Sequence, residues 1–154
     1  MPPVNTSSDD YVITAAEAAS AAQITYRQLD HWARQGWVTP SVQTGKGRGS
    51  RRLYSPADVV RLAALRHFAK SGWQVSDLGG RVNAVDVADA AWLVAGTQSG
   101  VSACPDDDAL HEQITREGQF SVLALRPLRE SLAEMRTPAG VDPPGITLMQ
   151  RRTA

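Results

Sequence analysis

Ile24-Thr25-Tyr26-Arg27-Gln28-Leu29-Asp30-His31-Trp32-Ala33-Arg34-Gln35-Gly36-Trp37-Val38-Thr39-Pro40-Ser41 is the stretch whose reading decides the fold. Leu29, Trp32 and Ala33 fall at i, i+3 and i+4, the spacing that puts apolar side chains on one face of a helix running Tyr26 to Gln35. Thr25 stands where the hydroxyl of a helix cap is wanted. Gly36 stands where a left-handed residue closes a helix, and Pro40 prevents resumption. Upstream, Thr14 and Glu17 have the spacing of a reciprocal cap, so an Ala-rich helix is expected to about Ala21 after a short extended start at Tyr11-Val12-Ile13. Ala22-Gln23-Ile24 then joins two short helices, which is the pattern of a helix-turn-helix.

Downstream, Val42-Gln43 and Arg52-Leu53-Tyr54 bracket Thr44-Gly45-Lys46-Gly47-Arg48-Gly49-Ser50-Arg51, in which glycines alternate with cations. This reads as a flexible, positively charged hairpin, or wing. Ser55-Pro56-Ala57-Asp58 is a strong helix start, with Ser as cap and Pro at the first position. The helix should run to Ser71 and stop at Gly72, with Trp73 and Val75 packing back on the core. Ser76 is a candidate cap for another helix. Val82, Val85, Ala88 and Ala91 place a connecting helix over residues 79–90, although Gly79-Gly80 would cost it about 2 kcal/mol against alanines.

Residues 91–136 read as a small α+β module. Ala91 to Ala95 is a strand, Thr97-Gln98-Ser99-Gly100 turns it into Val101 to Cys104, and Pro105-Asp106-Asp107-Asp108 opens an acidic-capped helix containing Leu110 and Ile114. Phe120 to Leu125 is apolar enough for a central strand, and Pro127 to Met135 a last helix with Leu128 and Leu132 inward. The expected fold is therefore mainly α with small β. Residues 1–10 are a leader expected to be disordered, residues 11–78 a winged helix-turn-helix, and residues 137–154 a loose tail rich in Pro and Gly.

Charge separates the two halves. Residues 11–80 carry nine Lys/Arg against four acids, whereas residues 81–154 carry seven Arg against ten acids, although the chain as a whole is neutral. A polyanion partner thus suits the first half alone. No apolar run reaches the roughly 20 residues of a membrane helix, and the start lacks the features of a signal peptide. Cys104, the single cysteine, points to a reduced cytoplasmic protein, which a DNA partner would place at the nucleoid. With only His31, His67 and His111 beside it, Cys104 makes no metal site. Asp106-Asp107-Asp108 lacks the alternation of a calcium loop. No nucleophile elbow, phosphate loop or paired-His motif is present, so neither a catalytic site nor a cofactor is expected.

Double-stranded DNA explains why polar side chains gather on the second helix and cations on the hairpin: the helix would lie in the major groove and the wing would follow the backbone. Tyr26, Arg27, Gln28 and His31 are the base-reading candidates; Arg27 and Gln28 are types that contact guanine or adenine edges bidentately. His31 has the alternative of simply covering Trp32. Thr25, Lys46, Arg48, Arg51, Arg52, Tyr54 and Arg66 are the backbone candidates. For Tyr54 a phosphate contact and a place in the core are equally open, and Arg66 is preferred to Arg61 for its position near Lys70.

The run from Ile24 to Ser41, the glycine-rich hairpin, and Arg51-Arg52-Leu53-Tyr54-Ser55-Pro56-Ala57-Asp58-Val59 together resemble the MerR family of transcription regulators, especially short actinobacterial-type members. The resemblance implies a homodimer that binds an inverted repeat in a promoter and distorts it, with RNA polymerase a further candidate partner. Asp30-His31-Trp32 replaces the Arg-Tyr-Tyr run of the metal and drug sensors, so their base contacts do not transfer, and their metal-binding cysteines and long dimerisation helix have no counterpart. The C-terminal strands and helices are the expected dimer contact instead. Two other functions fit less of the chain: an excisionase-like architectural factor that bends DNA, and a protein-interaction or ligand-sensing module centred on residues 91–135.

Overall fold

The computed structural model describes residues 12–45 and 51–135. The expected leader, the tail, Tyr11 and the wing tip with Lys46 and Arg48 lie outside the described residues. In chain order the elements are β1 (Ile13–Thr14), α1 (Ala15–Ala22), α2 (Tyr26–Gln35), β2 (Gln43–Thr44), β3 (Arg52–Tyr54), α3 (Pro56–Lys70), α4 (Val75–Ala84), β4 (Trp92–Gly96), β5 (Gly100–Cys104), α5 (Asp107–Thr115), β6 (Phe120–Ala124) and α6 (Arg126–Met135). The architecture is mainly α, with two small antiparallel sheets ordered β1-β3-β2 and β5-β4-β6.

The caps at Thr14, Ser55 and Asp106 form where the sequence places them, that at Thr14 without the reciprocal Glu17 bond its spacing suggested. Thr14 accepts from the Glu17 amide, Asp106 from the Ala109 amide, and Ser55 pairs reciprocally with Asp58. The turn between α1 and α2 closes on Gln23, a non-glycine residue at φ 58°, whose amide and that of Ile24 bond back to Ser20 and Ala19. Ala18, Ala22, Leu29, Trp32, Val59, Leu62, Leu65 and Phe68 then make one buried core under the helix-turn-helix.

Three expectations are corrected. Ser76 caps nothing: α4 starts two residues earlier than that cap would set it, behind Gln74, with no side-chain cap. The connecting helix over 79–90 ends at Ala84. Beyond it, the Arg61 guanidinium takes the Val85 carbonyl at 2.9 and 3.2 Å, and that of Arg129 takes those of Val87 and Ala88. Asp86 turns the chain by accepting from the Ala88 amide, and Val87 and Ala90 drop into the core. The two arginines thus satisfy the carbonyls that this irregular turn leaves without backbone partners. Finally, β6 is an edge strand; β4 is central and carries the buried Leu93, Val94 and Ala95.

Gly79-Gly80 nonetheless sits inside α4. A Cβ on Gly79 would lie 2.3–2.6 Å from Trp37, so the glycine is what lets the helix press on that indole. The module beyond residue 90 shares the core: Leu93, Ala95 and Leu125 join it, and Leu123, Leu128 and Leu132 pack on it. The Trp73 indole N–H donates to Ser121 Oγ at 2.9 Å, tying the end of α3 to β6.

Candidate nucleic-acid interface

Helix α2 is amphipathic in the simplest sense. Leu29 and Trp32 are buried, while Tyr26, Arg27, Gln28, His31 and Arg34 are exposed. Tyr26, Arg27, Asp30, His31 and Arg34 form one polar stripe by helical spacing. His31 meets Trp37 edge-on at 5.3 Å, so its ring is braced while it remains at the surface.

The segment from Trp37 to Ser41 carries the chain from helix to wing, and every step of it is fastened. Trp37 sits on Gly79. The Thr39 amide donates to Asn83 Oδ1 at 3.1 Å. The Ser41 amide and hydroxyl both donate to Asp58 Oδ2 at 2.7 Å. Asp58 is only 1% exposed; it also accepts from the Ser55 amide at 2.9 Å and from Arg61 at 3.3 Å. A buried carboxylate so fully bonded is a structural hub, and it locks the root of the wing to the start of α3.

The wing's described strands pair Gln43 with Leu53 and Thr44 with Arg52, and Ile13 of β1 pairs with Tyr54 on the other side. Arg52 Nη1 donates to Asp30 Oδ1 at 2.5 Å, and Arg34 Nε forms an ion pair with Asp30 Oδ2 at 3.1 Å. The bond from Arg52 guanidinium holds the Asp30 carboxyl below the ordinary carboxylate range. Ribbon and helix are therefore neighbours on one side of the molecule. Arg51 stands beside them, exposed and with no ion pair among the described residues, as does Arg27.

Several expected contact residues prove to be engaged internally. Gln28 Oε1 accepts from the Thr25 amide at 3.0 Å while Thr25 Oγ1 accepts from the Gln28 amide at 3.1 Å. Both side chains thus close the start of α2, and the amide oxygen that a bidentate adenine contact needs is already taken. Arg52 is bound by Asp30 and is not a freely available phosphate ligand. Tyr54 is 0% exposed, and its hydroxyl has no hydrogen-bond partner among the described residues, so the open choice closes in favour of the core. Arg66 is half-buried on α3, and no described bond ties it to the α2–wing surface.

Burial pushes the Tyr54 phenol up to about 12. The native state therefore holds a proton that the unfolded chain loses near pH 10, so stability is retained below pH 10 and falls as pH rises towards 12. The loss should reach about 2–3 kcal/mol by pH 12, and Tyr54→Phe should remove that part of the decline. Denaturant melts of both proteins from pH 9 to 12 check it; parallel declines would contradict it.

The family model for MerR HTH family regulatory proteins matches residues 13–82. Residues 13–82 are a MerR-family helix-turn-helix domain. Curated relatives in Mycobacterium bovis and in two strains of Mycobacterium tuberculosis, described as uncharacterized HTH-type transcriptional regulators, are each 46% identical over 55 residues. That stretch is 36% of this chain and 24% of each relative, so the likeness spans about a quarter of their length. The MerR domain ends within α4, so the helix bearing Gly79 belongs to it.

Asp58, Asn83 and the clamping role of Asp30 were missed by sequence reasoning. The Thr25–Gln28 spacing was a visible signal of a reciprocal cap; the Ser41–Asp58 bond, 17 residues apart, had none. Among the described residues no group of three or more His, Cys, Asp or Glu is placed to hold a metal ion. Burial raises the Cys104 thiol above its usual value. No described helix is long and apolar enough to cross a membrane.

Proposed function

We propose that the MerR domain binds double-stranded DNA sequence-selectively and that the chain is a transcription regulator acting in the cytoplasm as a homodimer on an inverted repeat. The observation that carries this reading is the Asp30–Arg52 bond, which sets the exposed stripe of α2 against the basic ribbon. A groove-reading helix and a backbone-following wing must approach the duplex together, and this contact keeps them adjacent. In this reading Arg27, His31 and Tyr26 face base edges, and Arg51 meets phosphate, joined by Lys46 and Arg48 of the wing tip. Thr25 contributes through the start of α2 rather than through its hydroxyl. The sheet edges of β5 and β6, with Phe120 44% exposed, offer a surface for self-association in the half of the chain away from the wing.

Selection of bound sequences from a randomised duplex pool by the full chain tests this reading. The expected result is a recurrent site with two half-sites in inverted orientation, as two-fold symmetry requires. Absence of enrichment would refute sequence-selective binding, and a single unrepeated half-site would refute the symmetric dimer.

A further inference from the structure

A carboxylate in the middle of a surface meant for a polyanion calls for a reason. Asp30 lies between Arg27 and Arg34 on the outward stripe of α2, one turn from each. Its two oxygens are both used: Oδ1 by Arg52 of the wing and Oδ2 by Arg34 of its own helix. The partners are not equally held. The Arg34 side chain is 72% exposed and free to swing away, whereas that of Arg52 is 22% exposed. The Arg52 stem also crosses Gly45, which has φ +74° and where a Cβ would come within 2.8 Å of Arg52 Cγ. Arg52 is thus threaded across the base of the wing and fixed at its head by Asp30.

We propose that Asp30 is a positioning residue that sets the wing against the reading helix and, by withholding Arg52 from phosphate, lowers affinity for arbitrary duplex in favour of selectivity. The inference rests on the DNA-binding reading above. Two physical effects combine, the first acting on selectivity and the second on affinity for every duplex. A wing fixed before binding loses less freedom when it docks, so a correctly shaped site is favoured over others. The carboxylate also cancels one cationic contact and adds repulsion to any phosphate, which penalises all sequences alike.

The test measures binding of the full-length wild type, Asp30→Asn, Asp30→Ala and the Asp30→Ala/Arg52→Ala double variant. The probes are a mixed-sequence duplex of about 30 base pairs across a salt series and the randomised pool. Both single variants should bind the mixed duplex tighter than wild type, by about threefold or more at low salt, with the salt slope steeper by about 0.9 for the released arginine. The double variant should lose that gain, and enrichment from the pool should weaken in the single variants. A purely structural role for Asp30 would not steepen the slope. Single variants that bind the mixed duplex no tighter than wild type overturn the proposal. So does loss of preference at one base pair alone, which would make Asp30 a reader of a cytosine amino group. Wild-type protein that binds no duplex at any salt overturns the functional reading itself, and with it the proposal.

Discussion

Replacing Asp58 with alanine is expected to lower the stability of the protein by about 3–5 kcal/mol, the cost of removing one partner from a buried, hydrogen-bonded ion pair. The carboxylate is 1% exposed and serves four donors: the Ser41 amide and hydroxyl, the Ser55 amide and the Arg61 guanidinium. Alanine would leave all of them facing a void. Arg61 would keep the Val85 carbonyl, which limits the loss, but its charge would be without a counterion in a setting where its side chain is 17% exposed. For a chain of 154 residues the change corresponds to a fall in melting temperature of about 10 °C or more. Asp58→Asn should be milder, because an amide oxygen can still accept from Ser41 and Ser55. Thermal and urea melts of the three proteins measure this. An Asp58→Ala protein within 1 kcal/mol or so of wild type would mean that the hub is not what fastens the wing root.

Arg27→Ala is expected to have the opposite profile, leaving the fold alone and damaging recognition. The side chain is exposed on the first turn of α2 and makes no ion pair among the described residues, so stability should stay within about 0.5 kcal/mol of wild type. On the site recovered from the randomised pool, affinity should fall by roughly 1–3 kcal/mol, and preference at one base pair in each half-site should relax. Arg51→Ala supplies the contrast. Its charge meets the backbone, so binding should weaken similarly on every duplex, and the salt slope should become shallower by about 0.9. Equal losses on selected and arbitrary DNA for Arg27→Ala would move that residue from base reading to the backbone.

What could be read from the sequence, and what could not, divides by the distance over which a contact is made. Helix α2, its Thr25 cap, its Gly36 terminus and the Ser55-Pro56 start of α3 depend on neighbours within four residues, and each lies where local spacing put it. The alternation of glycine with cations marked a hairpin whose root strands β2 and β3 pair, its tip lying outside the described residues. Long-range partners were invisible. Gly79-Gly80 looked like a weakness in a helix because the indole of Trp37, 42 residues earlier, cannot be inferred from propensity. Asp58 looked like an ordinary first-turn acid until Ser41 and Arg61 converged on it. Periodicity carried the helix past Ala84, whereas the chain turns at Asp86 and its carbonyls there are met by Arg61 and Arg129 from distant helices. Strand β6 was apolar enough for the centre of a sheet, yet strand order is a property of the assembled module. In the candidate interface the polar face of α2 was legible, but the side-chain contacts within it were not. Gln28 and Thr25 cap, Arg52 is clamped and Tyr54 is core.

The adjacency of α2 and the ribbon on one DNA-facing surface is tested most directly by amide chemical-shift mapping of the isotope-labelled full chain titrated with duplex at low salt. The largest changes should fall together on residues 25–34 and 43–54, with little response from α5. Changes gathered on β5, β6 or α5, or confined to the helix while the ribbon stays silent, would contradict a shared surface.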